Sequence, residues 1–397
     1  MNQVLPSSGG PGGRALFIAL GDLGAITTIG VRKKLHGQVD AARQLIGAPI
    51  DVVEQHGARA HVVINDVGCV YDLAKGIDNY HTAVARLITT RTNPNDYAMV
   101  YVRFPGASDL PFIKILRHFR GCQTVMEIPT YPINGERREM IAFFRRSRRW
   151  ARLVVYFAQL MSDLLTRLFI RRYVSLIAFI GQAGPRIWGV PTLETTNGYP
   201  LANEVLPVRL PPPRVLNLVC VANVEVFLGL DRLIQGMSIY RFVGGQWKIH
   251  LDIVGQGSGL SSLKYLVTKL GLDDALTFHA PQTGDELRRI YQACDIGVSA
   301  LALHRKGLAS GSILKSREYC ALGLPFIYAY NDPAFSDGLP FCLRLDPSDE
   351  PIQMESVISF FQSLDIQDCR QRARSYAEQH LTWEAVLQSV FAEIGSV

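Results

Sequence analysis

The sequence predicts an α/β protein made of two doubly wound domains. Three observations support this. Between Arg14 and Asn65 the chain reads strand, glycine-bearing loop, helix, then further strands. A stiff run, PVRLPPP (Pro207 to Pro213), interrupts the chain near its middle, and a new strand pattern, RVLNLVCVAN, starts directly after it. The length of 397 residues fits two domains of ordinary size. The expected division is a disordered leader over 1–13, a first domain over 14–206, a second over 207–375 and a helical tail over 376–397.

Composition narrows the class. Hydrophobic residues make up 48% and charged residues 19%, which provides a large core and argues against global disorder. The net charge of +6 is modest and unevenly spread. The seven cysteines are scattered, with no CxxC pair and no metal-ligand spacing, the pattern of buried thiols in a reducing compartment. MNQVLPSSGGPGG has neither the charged nor the apolar part of a secretory signal.

In the first half, RALFIAL is an apolar run typical of a buried parallel strand. The loop after it carries Gly21, Gly24 and Gly30, and a helix follows to Gly47. DVVEQ and AHVVIN read as strands, and Val70 to Arg91 as a helix. Ala98 to Val102 is a strand leading to Arg103, and a helix spans Phe112 to Phe119. CQTVMEIPTYPINGE is a strand and then a loop, carrying Glu127 and Glu136. Side chains at carboxyl ends of strands face the ligand crevice of such sheets, which singles out Arg103 and Glu127. Glu127 either faces a ligand in that crevice or is a structural carboxylate satisfied by neighbouring donors.

The segment 137–179 is rich in arginine and then apolar, with Asp163, Arg167, Arg171 and Arg172 interrupting the apolar part. No stretch in it reads as the roughly 20 uncharged residues of a spanning helix. It fits either a basic amphipathic helix on an anionic bilayer or a long core helix with solvated arginines. No nucleic-acid motif accompanies the arginines. In the second half, IHLDIVGQGSGL and the run after it read strand, glycine turn, helix. Gly255, Gly257 and Gly259 do not have the GxGxxG spacing of a dinucleotide site.

The richest stretch is Arg305 to Ile327, RKGLASGSILKSREYCALGLPFI. A loop of small residues, Gly307 to Ser312, enters a helix that Gly323 closes. A helix N-terminus offers unpaired N–H groups to an anion, and small residues let a phosphate approach them. Lys315 stands in the first turn and Glu318 a turn deeper, where a carboxylate can hold two ribose hydroxyls. From local chemistry alone the stretch is either a nucleotide holder or an ordinary helix–strand junction.

Glu318, Ala321, Gly323, Leu324 and Pro325 resemble the donor-binding helix of retaining glycosyltransferases of the GT-B fold, in particular glycosyltransferase family 4 (GT4). LKSREYCALGLPFI, and VRFP followed by EIPTYP, are similar to bacterial capsule and exopolysaccharide glycosyltransferases. The resemblance runs from about Gly30 to Trp383. It implies two Rossmann-like domains facing across a cleft, with the C-terminal helix crossing back to the first. It implies donor contacts from Gly255, Gly257, His279, Ser310, Gly311, Ser312, Ile313, Leu314, Lys315 and Glu318. Acceptor contacts would come from Gly30, Lys34, Arg103 and Glu136, with Glu127 and Lys315 as catalytic residues. Two positions depart from the family: Ser310 stands where a glutamate contacts the donor sugar, and Leu228 where a basic residue precedes Gly229.

The expected activity is transfer of a sugar from a nucleoside-diphosphate sugar to a lipid-linked or glycan acceptor in cell-surface glycan biosynthesis. The nucleotide sugar is a co-substrate, and neither a cofactor nor a metal is expected. The expected place is the cytoplasm, peripherally on the inner face of the membrane. A non-catalytic sugar-nucleotide binder and a nucleotide-sugar epimerase of the same fold remain as alternatives.

Overall fold

The computed structural model describes residues 13–21, 23, 29–74, 80–133, 137, 140–141, 144–201, 206–207 and 212–396. The expected leader up to residue 12, the loop 24–28 and Glu136 lie outside them. The chain divides into two compact units, Met1–Gly198 with Trp383–Val397, and Tyr199–Thr382.

The first unit runs β1 (Arg14–Ala19), α1 (Ile29–Ile46), β2 (Ile50–His56), β3 (Arg59–Ile64), β4 (Val67–Asp72), α2 (His81–Arg91), β5 (Tyr97–Arg103) and α3 (Leu110–His118). It continues with β6 (Gln123–Tyr131), α4 (Trp150–Ile170), β7 (Leu176–Gly181), β8 (Arg186–Ile187) and β9 (Val190–Glu194). The sheet order is β4-β3-β2-β1-β5-β6-β7-β9-β8. From β2 through β7 to β9 the pairs are parallel, while β3, β4 and β8 join antiparallel at the edges. Strand β1 is apolar throughout because both faces are covered. Leu16 and Ile18 enter one core and Ala15, Phe17 and Ala19 the other, at the two-residue period of a strand.

The expected helix from Val70 to Arg91 is corrected. Asn65 and Asp66 both take positive φ, at 52° and 61°, and form the tight turn of a hairpin. That turn folds Val67–Asp72 back on β3, and the helix begins only at His81.

The second unit runs β10 (Val215–Asn223), α5 (Leu230–Phe242), β11 (Lys248–Gln256), α6 (Leu260–Lys269), β12 (Leu276–His279), α7 (Gly284–Ala293) and β13 (Ile296–Val298). It continues with α8 (Leu314–Ala321), β14 (Phe326–Tyr328), β15 (Cys342–Arg344), α9 (Met354–Gln362) and α10 (Ile366–His380). The order β12-β11-β10-β13-β14-β15, parallel throughout, is the 3-2-1-4-5-6 arrangement of a dinucleotide-binding sheet. The order reverses between β10 and β13, and the loop after β13 leads into α8.

The last helix, α11 (Trp383–Ser396), belongs to the first unit, where Trp383, Leu387 and Phe391 share a core with Leu35 and Val39 of α1. The divisions fall at 198/199 and 382/383, not at 206/207 and 375/376. Tyr199, Leu206 and Pro207 are tied into the second unit. Tyr199 N–H donates to Leu381 O at 2.7 Å, and the buried Arg370 side chain donates to Leu206 O at 3.2 Å and Pro207 O at 2.5 Å. Helix α10 continues past residue 376 with Ala377 buried in that unit's core.

Trp383 lies against two glycines. A Cβ on Gly37 would stand 2.5 Å from its ring, and one on Gly198 2.6 Å from the ring and 2.8 Å from the Trp383 Cα. Gly198→Ala is therefore expected to cost about 1–3 kcal/mol through overpacking. Gly184→Ala, with nothing within 4 Å, should stay within about 0.5 kcal/mol of the parent in urea unfolding.

Candidate functional site

The second unit assembles the sequence-predicted loop and helix at its sheet's switch point. Ser310 is buried and bridged to Asn331, and Gly311 N–H donates to Asn331 O at 2.9 Å. A Cβ on Gly311 would meet the Leu303 Cδ2 at 2.7 Å, so the leucine end would have to shift to admit one. Ile313 is the N-cap of α8, extended and without a side-chain hydrogen bond to the helix. Ile313 thus brings no side-chain cap to the positive end of the helix dipole.

A buried polar layer fixes this mouth from beneath. Ser316 Oγ is 2.8 Å from both Ser299 Oγ and Tyr330 OH. Arg317 and Asp332, both fully buried, form a two-pronged ion pair. Arg317 also donates to Ile313 O at 3.2 Å, and Asp332 accepts Ala334 N–H at 3.0 Å. These partners lie 14–17 residues apart in sequence, and nothing in the local pattern announces them.

Lys315 and Glu318 take the open side of α8. Lys315 Nζ donates to Glu318 Oε2 at 2.6 Å, and Tyr291 OH to Oε1 at 2.8 Å. The Glu318 side chain is 13% exposed, so its carboxylate is not sealed in the interior. Burial, reinforced by the adjacent Glu318 charge, pushes the Tyr291 hydroxyl well above its ordinary range and keeps it a donor. Tyr291, Ser299, Tyr330 and Asp332 are site residues that the sequence reading missed.

The other donor-side residues have local explanations. Gly255 and Gly257 take φ of +143° and +156°, and a Cβ on them would lie 1.9 Å from Ala222 O and 2.2 Å from Val224 O. They are glycine so that the turn after β11 can close on the end of β10. His279 pairs with Asp252 across β12 and β11, Nε2 to Oδ1 at 2.6 Å. It stands in the edge strand β12, with β11 between it and β10. Burial tends to raise the Asp252 pKa, but hydrogen bonds from His250 and His279 outweigh it and hold the carboxyl below its usual range. Leu228 is buried in the core, and Leu301 N–H donates to its carbonyl at 2.9 Å.

In the first unit the expected roles of Glu127 and Lys34 are corrected. Strand β6 runs on to Tyr131, so Glu127 lies within the strand, beside Arg103 of β5. It is 2% exposed and surrounded by donors. Lys34 Nζ lies at 2.5 Å, Gln38 Nε2 at 2.9 Å, Tyr101 OH at 3.1 Å and Arg103 Nη1 at 3.3 Å. Burial tends to raise its pKa, but the charges of Lys34 and Arg103 prevail and bring it down to about 2. Almost sealed and with both oxygens engaged, Glu127 fits the second of its two expected roles, a structural carboxylate satisfied by neighbouring donors. Lys34, 7% exposed, also donates to Asn197 Oδ1 at 2.7 Å and lies 5.6 Å from the Trp383 ring. Lys34 and Arg103 therefore anchor this network, Lys34 almost sealed and Arg103 with its side chain 17% exposed. Gly30 is exposed near the start of α1, with open space around it. Glu136 is outside the described residues.

Helix α4 decides between the two readings of the basic segment. Leu153, Asp163, Thr166 and Ile170 face inward, while Val154, Val155, Phe157, Met161, Leu164, Leu165 and Leu168 are exposed. It is not an interior helix. Asp163 pins it by accepting from Ser108 N at 2.6 Å, Arg137 at 2.5 Å and Arg167. Contrary to expectation, its 21 residues, with an 18-residue window of mean hydropathy 1.5, are long and apolar enough to cross a membrane, by length and composition alone. The arginine cluster ends at Arg152, so few charges fall within the apolar run.

Among the described residues no cluster of His, Cys, Asp and Glu is placed to hold a metal ion. All seven cysteines are free thiols, and burial pushes Cys220 up to about 12. A cavity of about 720 Å³ against β14, β15 and α10 is lined by none of the sequence-predicted residues.

Glu127 makes a pH signature. Its folded pKa of about 2 lies below the ordinary 4.5, so its stabilisation is full above about 4.5 and lost as pH falls toward 2. Glu127→Gln, which leaves Lys34 buried without its counter-charge, should cost on the order of 3 kcal/mol at pH 7. The gap between parent and variant in urea unfolding should close as the pH is lowered through that window.

No family model matches the chain, and no curated protein matches it. Solved structures do resemble it along nearly its whole length. A glycosyltransferase from Rickettsia africae aligns with TM-score 0.60 at 12% identity, over 96% of this chain and 98% of that one. HepE of Anabaena, in complex with UDP, aligns with TM-score 0.59 at 11% identity, over 97% and 100%. Sucrose-phosphate synthase of Thermosynechococcus elongatus aligns with TM-score 0.61 at 14% identity, over 96% and 99%. At these identities the likeness is one of fold. The chain has the two parallel-sheet domains of the GT-B glycosyltransferase fold.

Proposed function

We propose that this chain is a GT4-like, retaining glycosyltransferase that moves a sugar, of the hexose class, from a nucleoside-diphosphate sugar to a lipid-linked or glycan acceptor. The observation that carries the reading is the Lys315–Glu318 pair on the open side of the uncapped helix α8, just after the switch-point strand β13. The diphosphate sits at the helix mouth, where N–H groups and Lys315 meet the charge that grows as the bond to the sugar breaks. Glu318 holds the ribose and so positions the donor. HepE, similar in fold, is known in complex with UDP-glucose, which supports a donor of this class. No metal enters this scheme, since the helix mouth and Lys315 supply the positive charge.

The bare apolar face of α4, with Arg145, Arg146 and Arg152 exposed before it and Arg171 and Arg172 after it, supports peripheral attachment to an anionic membrane surface. Asp163 holds the helix against the first unit, which favours a helix lying on the bilayer over one crossing it. The corresponding place is the cytoplasmic face, in assembly of a cell-surface glycan.

A second reading is a binding protein that holds a nucleotide sugar without transferring it. Ser310, bridged to Asn331, and Leu228, buried in the core, favour it by leaving no carboxylate or base at those positions. An epimerase would have no use for the apolar face of α4.

Glu318→Ala should keep the circular dichroism of the parent and reduce donor turnover by about 100-fold or more. Unchanged turnover removes the donor assignment. A melting-point rise with nucleoside diphosphates but no donor turnover by the parent would select the binding protein. In flotation assays the chain should bind anionic vesicles, and replacing Arg145, Arg146 and Arg152 with Gln should weaken binding by about two orders of magnitude. Equal binding to neutral and anionic vesicles would remove the electrostatic part of the membrane reading.

A further inference from the structure

The first unit contains a cavity of about 860 Å³ at the carboxyl ends of its central strands, within the size range of small-molecule sites. Strand β1 has β2 on one side and β5 on the other, so this is the sheet's switch point, where open α/β sheets take ligands. Among the described residues, no site residue expected from the sequence lines it.

The two walls differ in character. At the strand ends stands His81, whose Nδ1 lies 2.7 Å from Asp109 Oδ2. A carboxylate only accepts, so Nδ1 carries a proton and Nε2 is the ring nitrogen left to face the cavity. Asp109 is itself held by Phe112 N–H at 2.8 Å, which fixes the pair in place. Among the described residues Nε2 has no partner. The α4 side is mainly apolar, with Ile133, Met140, Phe144, Val155 and Leu160, and also carries Arg137, Gln159 and Ser162. Val155 lines the cavity and is also 56% exposed, next to Val154 and Phe157 on the bare face of α4. The apolar wall therefore continues out of the cavity onto that face. A water-soluble sugar would leave this wall wet, whereas a hydrocarbon chain would cover it.

We propose that this cavity binds a lipid-type amphiphile, with its hydroxylated head beside His81 and its chain along Met140, Phe144, Val155 and Leu160, emerging over α4. For the ligand's role as acceptor this rests on the transferase reading above. For its binding it does not.

The test uses the full chain and n-alkyl glucosides of increasing chain length, each below its micelle concentration, in titration calorimetry. Affinity should rise about fourfold per added methylene until the cavity is full. Ala158 lines the mouth and is exposed on α4, so Ala158→Trp should block the chain without disturbing the core and flatten that rise. Ala151→Trp, exposed on the same helix but away from the cavity, should retain it. Affinity independent of chain length overturns the proposal, and so does an Ala158→Trp series that follows the parent. The donor reading is scored separately by the melting-point rise with UDP, which Ala158→Trp should leave intact.

Discussion

A buried charge without a partner costs more than almost any single contact in a fold, and each unit places one buried ion pair beneath the surface where chemistry is expected. In the first unit Lys34 and Glu127 join α1 to β6, and Arg103, Tyr101 and Asn197 close the network. In the second, Arg317 and Asp332 join α8 to the loop after β14. Neither pair is an efficient source of stability, since apolar residues of the same volume would serve as well. What they provide is position: with both oxygens of each carboxylate engaged, the elements above them have little freedom to slide.

This separates structural from functional charge. In sequence, Glu127, Arg103 and Lys34 have the same claim to the crevice as Lys315 and Glu318. The structure distinguishes them by saturation. Glu127 receives donors on both oxygens from four side chains and is almost sealed. Glu318 receives one on each oxygen, from Lys315 and Tyr291, and keeps an open edge. A carboxylate with remaining acceptor capacity and access can meet a ligand, and one without them is scaffold.

The architecture was legible because parallel strands buried on both faces are continuous apolar runs, as in RALFIAL and LIAFIG, and because proline and glycine mark the breaks. Helix α8 was legible from its small-residue entry and its glycine stop, Gly323 at φ +70°. The hairpin β3–β4 was not, because its strands owe their register to each other and to the Asn65–Asp66 turn, not to a strong local pattern. The partners of the candidate sites were also hidden. Tyr291 and Glu318 are 27 residues apart and His81 and Asp109 are 28, so only the sheet topology brings them together. Helix α4 was obscured by the arginines before it, which hide how apolar the run after Arg152 is.

Helix α8 shows how a short element can be both fixed and available. Ser316, Arg317, Tyr319, Cys320 and Ala321 are buried, so packing takes most of its circumference. Lys315 and Glu318, three residues apart, share the remaining side, and their contact holds both chains in place before any ligand arrives. Lys315 is 27% exposed, so the pair is worth at most about 1 kcal/mol. An ammonium has three donors, so Lys315 can keep Glu318 while reaching a phosphate oxygen. The ligand then has little to break. In the donor scheme proposed above, the Tyr291 hydroxyl on the other oxygen orients the carboxylate for a ribose beforehand, so that binding energy would go to placing the sugar instead of reorganising the site.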